Sequence, residues 1–249
     1  MISVCMAVCN GGLYIKEQLA SILPQLKSND EIMLSDDTST DETLAIIAAF
    51  NDPRITVLAR NGPRSIQDNF ENALRHARGE IIFLSDQDDI WFPDKLALMS
   101  RALQDCVLVH CDCTIINDRG ETMAPSFFQQ RGSGNGFVHT LMKNSYMGCC
   151  MAFRRDLLTV CLPFPRDVPM YDWWIGLMGE LTGKTCCLEE QLVAYRFHGS
   201  NSSDTVRGSG FSLRQKMVWR FRILIQIIGR VLARRGRLTR LDKGSVKVL

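Results

Sequence analysis

An α/β fold with a mostly parallel sheet and helices on both faces is what this sequence predicts. Three observations carry that expectation. Short apolar runs recur at residues 2–8, 31–35, 55–58 and 80–84, separated by segments of helical periodicity. Three of these runs end in polar loops, at Asn10-Gly11-Gly12, Asp36-Asp37 and Asp86-Gln87-Asp88-Asp89. The chain has 249 residues, 46% hydrophobic and 22% charged, which suits one well-packed domain with an appendage.

Residues 2–8 are apolar up to Asn10-Gly11-Gly12 and read as a buried strand entering a loop. Tyr14, Leu19, Ile22, Leu23 and Leu26 then recur at helical spacing. Glu31-Ile32-Met33-Leu34-Ser35 reads as a second strand, stopped by Asp36-Asp37-Thr38-Ser39-Thr40-Asp41. Ser39 or Thr40 is placed there to cap a helix through Leu44, Ile47 and Ala48. Residues 55–58 form a third strand. Residues 67–78 form a helix ending at Gly79, a residue suited to a C-terminal cap. Glu80-Ile81-Ile82-Phe83-Leu84 is a fourth strand that runs into the acidic cluster. This β-α-β rhythm favours parallel pairing. Ligands of such sheets bind beyond the carboxyl ends of the strands, so the three polar loops are expected to share a cleft.

The second half is less regular. Residues 129–136 (QQRGSGNG) share only composition with a glycine-rich nucleotide loop and read as a surface or lid loop. Residues 147–153 are strand-like, and Met170-Tyr171-Asp172-Trp173-Trp174 opens an amphipathic segment. Met1 is followed at once by the first strand, without a basic n-region or cleavage site.

Charge is unevenly spread. Of 29 Lys/Arg and 27 Asp/Glu, 12 and one respectively lie from Arg207 onward, which leaves 17 and 26 before it. An acidic body spanning residues 1–206 and a basic tail spanning 207–249 follow from that split, with the tail aimed at an anionic surface. In residues 211–240, Met217, Phe221, Leu224, Ile228 and Leu232 recur at three- and four-residue intervals among arginines. The longest uncharged stretch there, residues 223–229, is far short of the roughly 20 apolar residues that a spanning helix needs. A basic amphipathic helix lying in a membrane interface is expected, with a helix packed on the body as the alternative. No nucleic-acid recognition module accompanies the charge, and nucleic acid is not an expected partner.

The ten cysteines sit inside apolar runs and read as small buried hydrophobes of a reducing compartment. Cys111-Asp112-Cys113, Cys149-Cys150 and Cys186-Cys187 all lack zinc-type Cys-x-x-Cys spacing. The chemistry is in the carboxylates. Asp86, Asp88 and Asp89 crowd one turn after an apolar strand, where like charges raise one another's pKa unless a cation sits among them. Hard oxygen ligands favour Mg²⁺ or Mn²⁺ with phosphate and water completing the shell; a solvated acidic turn is the plainer alternative. Asp36 and Asp37, at the end of an earlier strand, are placed to accept hydrogen bonds from a nucleoside.

The series SVCMAVCNGG, EIMLSDDTSTDET, NFENALRHARGEIIFLSDQDDIWFPDKL, YDWW and YRFHGSN, running in order from residue 2 to about 203, resembles glycosyltransferase family 2, the inverting enzymes of the GT-A fold. The resemblance implies a nucleotide-sugar site. Ala7, Cys9 and Asn10 would lie along the base, although the family's usual Pro-Thr-Tyr-Asn keeps only Asn10 here. Asp37, with Asp36, would hold a uracil or thymine and its ribose. Asp86 and Asp88 would form the metal and ribose-diphosphate motif, with Asp88 the direct metal ligand. Asp172 would be the catalytic base, and His198 would face the metal and diphosphate. Trp173 and Trp174 are candidates for stacking on sugar rings, with core packing as the alternative.

These assignments predict in-line attack by an acceptor hydroxyl, deprotonated by Asp172, on a UDP- or dTDP-sugar, with Mn²⁺ or Mg²⁺ assisting diphosphate departure. The form Ser85-Asp86-Gln87-Asp88-Asp89-Ile90-Trp91 resembles bacterial rhamnosyl- and glucosyltransferases of O-antigen assembly, which implies a lipid-linked saccharide acceptor. The expected location is peripheral, on the inner face of the cytoplasmic membrane. A nucleotide-sugar-binding assembly subunit without turnover is the second reading, and a glycosidase-like carboxylate pair is the third.

Overall fold

A computed structural model describes residues 1–60, 62–134, 136–199 and 211–244, with residues 233–244 as helix backbone alone. In chain order the elements are β1 (Ile2–Val8), α1 (Ile15–Ile22), β2 (Glu31–Asp36), α2 (Thr43–Ala49), β3 (Ile55–Ala59), α3 (Ile66–His76), β4 (Ile81–Ser85) and β5 (Ile90–Trp91). Then follow α4 (Lys95–Ala102), β6 (Leu108–Ile116), β7 (Thr122–Ala124), α5 (Phe127–Arg131), α6 (Phe137–Met142), β8 (Met151–Arg154), α7 (Leu158–Cys161), α8 (Tyr171–Thr182), β9 (Thr185–Arg196) and α9 (Leu213–Gly244). Every element except α9 belongs to one compact unit; α9 and the short segment Pro165–Pro169 form another.

The sheet runs β3-β2-β1-β4-β8-β6-β9-β5, with β7 paired to β6. The first four strands are parallel. Beyond them the sheet is mixed: β8 is antiparallel to β4 and β6, β9 is parallel to β6, and β5 is antiparallel to β9. Strand order reverses between β1 and β4, so the loops leaving these two strands diverge and open a crevice at their carboxyl ends. Register aligns those ends, with Val8 beside Asp36 and Met6 beside Ser85.

The strands form because their apolar side chains are covered on both faces. Val4, Met6, Ile32, Leu34, Ile82 and Phe83 are fully buried. Each such side chain contributes roughly 1.5–3 kcal/mol relative to exposure. Helix α3 begins at Ser65, whose hydroxyl accepts the Asp68 N–H, and buries Asn69, Phe70, Ala73 and Leu74. It ends at His76, short of the expected residue 78, and Gly79 is not its cap. A Cβ on Gly79 would stand 2.5 Å from the Ser3 nitrogen, so this glycine exists to let the chain pass against β1.

Three other local expectations need correction. Ser39 and Thr40 do not cap α2; Asp41 binds the Thr43 N–H instead, and Ser39 and Thr40 are bonded to Asn10. Residues 129–131 are helical rather than loop, because Ser126 caps α5 through the Gln129 N–H and Gly132 closes it in the left-handed region at φ 60°. Within residues 147–153, a 3₁₀ turn at Gly148–Cys150 precedes the strand β8.

In α9, Leu213, Met217, Phe221, Ile225, Ile228 and Leu232 are exposed at three- and four-residue intervals. No helix among the described residues is long and apolar enough to cross a membrane. The expected boundary between residues 206 and 207 lies outside the described residues.

Candidate active site

Three loops meet at the carboxyl ends of β1, β2 and β4. After β1, the Cys9 N–H donates to Gln87 Oε1 at 2.9 Å, and Gln87 Nε2 donates back to the Cys9 carbonyl at 3.1 Å. Asn10 adopts φ 51°, its N–H donates to Ser39 Oγ, and its Oδ1 accepts the Thr40 N–H at 2.8 Å. Ala7 is partly buried at the end of the strand. Gly11 has no room for a Cβ against the Gln87 side chain.

After β2, Asp37 is nearly buried and both its oxygens are engaged. Oδ1 pairs with Arg60 Nη1 at 2.6 Å, and Oδ2 accepts the Ser65 N–H at 2.9 Å. Arg60 is itself held by the Pro63 carbonyl and Asp68. Asp36 accepts the Ser39 N–H through Oδ2, while its Oδ1 is buried without a partner.

The loop after β4 is different in kind. Burial first, then repulsion from Asp88 and Asp172, lifts the Asp86 carboxyl to about 8. Asp89 is raised well above the usual carboxylate range by burial and by Asp88 and Asp86. Carboxylate oxygens of Asp86 and Asp89 lie with the Cys149 sulfur within 4.8 Å of one another. Strand β5 pairs antiparallel with β9, Ile90 beside Ala194, and this brings the end of β9 onto the loop. There His198 Nε2 meets Asp88 Oδ2 at 2.9 Å, its ring stacked on Tyr14 at 5.2 Å. Arg196 braces the same loop: its N–H binds Asp89 Oδ1 and its Nε binds the Asp88 carbonyl, both at 2.9 Å. Crowded, proton-hungry oxygens of this kind suit a hard divalent cation, and among the described residues the potential donors that converge are Asp86, Asp89 and the Cys149 sulfur, with the His198–Asp88 pair on the same loop.

Asp172 stands at the first turn of α8. Burial is the main cause that raises its carboxyl to about 6, offset by hydrogen bonds from the Trp173 N–H, Asn144 and the Gly148 N–H and by the charge of Arg131. Asn144 Nδ2 reaches Asp172 Oδ1 at 3.3 Å. Asp172 is close enough for its charge to act on Asp86. A carboxylate with a pKa near 6 is ionised at neutral pH yet takes up a proton more readily than an ordinary aspartate.

The structure thus brings Cys9, Asn10, Asp36, Asp37, Asp86, Asp88, His198 and Asp172 to one edge of the sheet. It does not offer the two tryptophans for stacking. Trp173 and Trp174 are buried and their indole N–H groups donate to the Thr140 and Cys161 carbonyls, so both are core residues. Sequence reasoning missed Gln87, Arg60, Asn144 and Arg131. Gln87 sat in plain view between the acids, but its bond to Cys9 depends on β1 and β4 being neighbours. All ten cysteines are free.

A family model described as Glycosyl transferase family 2 matches residues 3–161. The UDP-Glc:alpha-D-GlcNAc-diphosphoundecaprenol beta-1,3-glucosyltransferase WfgD of Escherichia coli is 29% identical over 70% of this chain and 68% of its own length. The dTDP-rhamnosyl transferase RfbG of Shigella flexneri is 24% identical over 79% of this chain and 72% of its own. An uncharacterized glycosyltransferase of Nostoc sp. is 28% identical over 81% of this chain and 66% of its own length. The chain therefore spans about two thirds of the length of these relatives. Among solved structures, S. aureus TarS 1-349 in complex with UDP-GlcNAc superposes with a TM-score of 0.64 at 18% identity, covering 93% of this chain and 72% of that one. The mannosyltransferase PcManGT from Pyrobaculum calidifontis, in complex with GDP-Man and Mn²⁺, gives 0.61 at 20% identity, covering 98% and 79%. These likenesses identify the fold as GT-A.

Proposed function

The chain belongs to glycosyl transferase family 2, and on that premise we propose that it is a metal-dependent inverting enzyme moving a sugar from a UDP- or dTDP-sugar to a hydroxyl of a lipid-linked saccharide. The observation that carries this reading is Asp172, a carboxylate poised near 6 on the cleft that also holds the crowded acidic loop. Asp172 takes the proton of the acceptor hydroxyl as it attacks the anomeric carbon. Asn144 and the backbone N–H of Trp173 fix which way its oxygens point.

Asp37, held by Arg60 and the Ser65 N–H, and Asp36 shape the loop that receives the base and ribose. Ala7, Cys9 and Asn10 present backbone along the base. Asp88, His198 and Asp86 would hold Mn²⁺ or Mg²⁺. A cation bound there would offset charge on the departing diphosphate. The activities for which WfgD and RfbG are named support the donor classes, and that of WfgD supports an acceptor carried on a lipid diphosphate. Assembly of an O-antigen or another surface polysaccharide is the corresponding setting. The exposed apolar stripe of α9, interleaved with Arg214 and Arg222, supports attachment to an anionic membrane surface from the cytoplasmic side.

The test is Asp172→Asn assayed with Mn²⁺ for nucleotide release and sugar transfer. Turnover should fall on the order of 10²–10⁴-fold while nucleotide binding persists. Full transfer by this variant would remove Asp172 from the role of base, and donor binding without release in the unaltered chain would favour an assembly subunit. For the tail, sedimentation with phosphatidylglycerol vesicles should exceed that with phosphatidylcholine vesicles and weaken with salt.

A further inference from the structure

Lys95, the first residue of α4, has no part in the reading above and is fully buried. An ammonium gives up its hydration only where fixed partners replace it. Here Nζ donates to the Cys149 carbonyl at 2.5 Å and lies 3.8 Å from the centroid of the Trp91 ring. A charge-assisted hydrogen bond and a cation–π contact together hold it in one place.

The carbonyl it grips belongs to the 3₁₀ turn Gly148–Cys150, and that turn touches both halves of the site. On one side, the Cys149 sulfur lies within 4.8 Å of carboxylate oxygens of Asp86 and Asp89. On the other, the Gly148 backbone lies close enough to Asp172 to help hold its carboxyl down. Gly148 is packed so closely on the Tyr171 hydroxyl, one residue before Asp172, that a Cβ would collide with it. The turn is closed from within by only two backbone bonds, from the Cys150 N–H to the Met147 carbonyl at 2.9 Å and from the Met151 N–H to the Gly148 carbonyl.

We propose that Lys95 is a positioning residue for sugar transfer: by holding the Cys149 carbonyl it fixes the 148–150 turn, and through it the placement of Asp172 relative to the acidic loop. The inference rests on Asp172 being the base. It differs from a role for Lys95 as a simple counter-charge to Asp86, because a counter-charge acts on donor and metal binding whereas a strut acts on the chemical step.

Lys95→Met keeps the stem against Trp91 and removes donor and charge; Lys95→Gln keeps a donor without the charge. For each, kcat would be measured beside the Kd of UDP in Mn²⁺ by calorimetry and the thermal midpoint. Misplacement by about an ångström costs on the order of 10²-fold in rate, which is the loss expected in kcat for Lys95→Met. UDP affinity should stay within about threefold of the unaltered chain, since a strut leaves the donor contacts in place. Lys95→Gln should restore part of kcat at the same affinity. Wild-type kcat in Lys95→Met overturns the proposal, and so does a parallel loss of kcat and UDP affinity in both variants. Should Lys95→Met fail to fold, Gly148→Ala decides, since it displaces the turn and leaves Lys95 and every acid intact. It should lower kcat at unchanged UDP affinity, and normal turnover there overturns the proposal. Asp172→Asn serves as the control. If it stays active the base assignment has failed, whereas if it is dead while the Lys95 and Gly148 variants turn over normally, only the strut has.

Discussion

The loops after β2 and β4 begin alike, each with a run of aspartates at the end of a buried parallel strand, yet they solve the problem of buried charge in opposite ways. Asp37 is neutralised from within the chain. Arg60 stands 2.6 Å away and the Ser65 N–H takes the second oxygen. On Asp86 and Asp89, burial and the charge of Asp88 push both carboxyls upward, and the buried Lys95 offsets this only in part for Asp86. The comparison teaches that an Asp-Asp run at a strand end does not identify a metal site. What separates the two is whether the fold has set a cation directly on the carboxylate, as Arg60 is on Asp37. The loop that lacks one is where an external cation has the most to gain.

The largest expected effect tests that contrast directly. Asp88→Asn should lower transfer on the order of 10²–10³-fold and abolish the dependence of UDP affinity on Mn²⁺, as removal of a group that serves the transition-state charge does. Arg60→Met should weaken UDP binding yet leave its Mn²⁺ dependence intact. Calorimetric titration of UDP with and without Mn²⁺ distinguishes them, and an equal metal response lost in both variants would erase the distinction between the loops.

Stability should divide the loops next. Arg60→Met strands a nearly buried carboxylate and is expected to cost about 2–4 kcal/mol, read from urea unfolding. Pairing it with Asp37→Asn should recover part of that loss, because the stranded charge is gone.

Asp86→Asn should do the reverse in metal-free protein. Its folded pKa is raised to about 8 against an ordinary 3.8, so the native state resists ionisation that the unfolded chain accepts. The penalty is absent below the unfolded value, grows as pH rises through the interval, and is complete above about 8. Replacing the group should therefore stabilise metal-free protein by about 1–3 kcal/mol at pH 8 and by almost nothing at pH 4. Added Mn²⁺ should raise the melting temperature of the unaltered chain and not that of Asp88→Asn.

Much of this was legible in the sequence because the informative signals were local. Residues 2–8 read as a strand because an apolar run met Asn10-Gly11-Gly12, and β1 has those same bounds. Asp88 and His198 were assigned to one place on motif alone, and they do meet, at 2.9 Å. What was not legible depended on contacts across the fold. Helix α5 was missed because its start is fixed by Asp112 on β6, which accepts both the Ser126 hydroxyl and the Phe128 N–H. Gly79 looked like a helix cap because the strand it passes lies 76 residues earlier in the chain. The mixed far half of the sheet escaped notice for a like reason: β8 enters between β4 and β6, out of chain order. For the tryptophans of α8 the sequence leaves stacking and core packing both open, with core packing the reading for at least one, because the pattern does not show which way each ring faces. They lie on α8, a helix buried on nearly every side, and both side chains are buried.

The smallest expected effect concerns the residue that joins the comparison's two sides to β1. Gln87 sits among the aspartates but is turned toward Cys9, where it both accepts and donates. It therefore couples the acidic loop after β4 to the backbone at the end of β1, the proposed nucleotide side. Gln87→Leu removes two hydrogen bonds at a partly buried position, worth about 1–2 kcal/mol together. If the coupling matters for function, the loss should appear as a several-fold weaker UDP affinity both with and without Mn²⁺, since the perturbation reaches the base-binding backbone through Cys9. A loss confined to the Mn²⁺ condition would instead place Gln87 wholly with the acidic loop. The two loops would then be electrostatically distinct and mechanically independent as well.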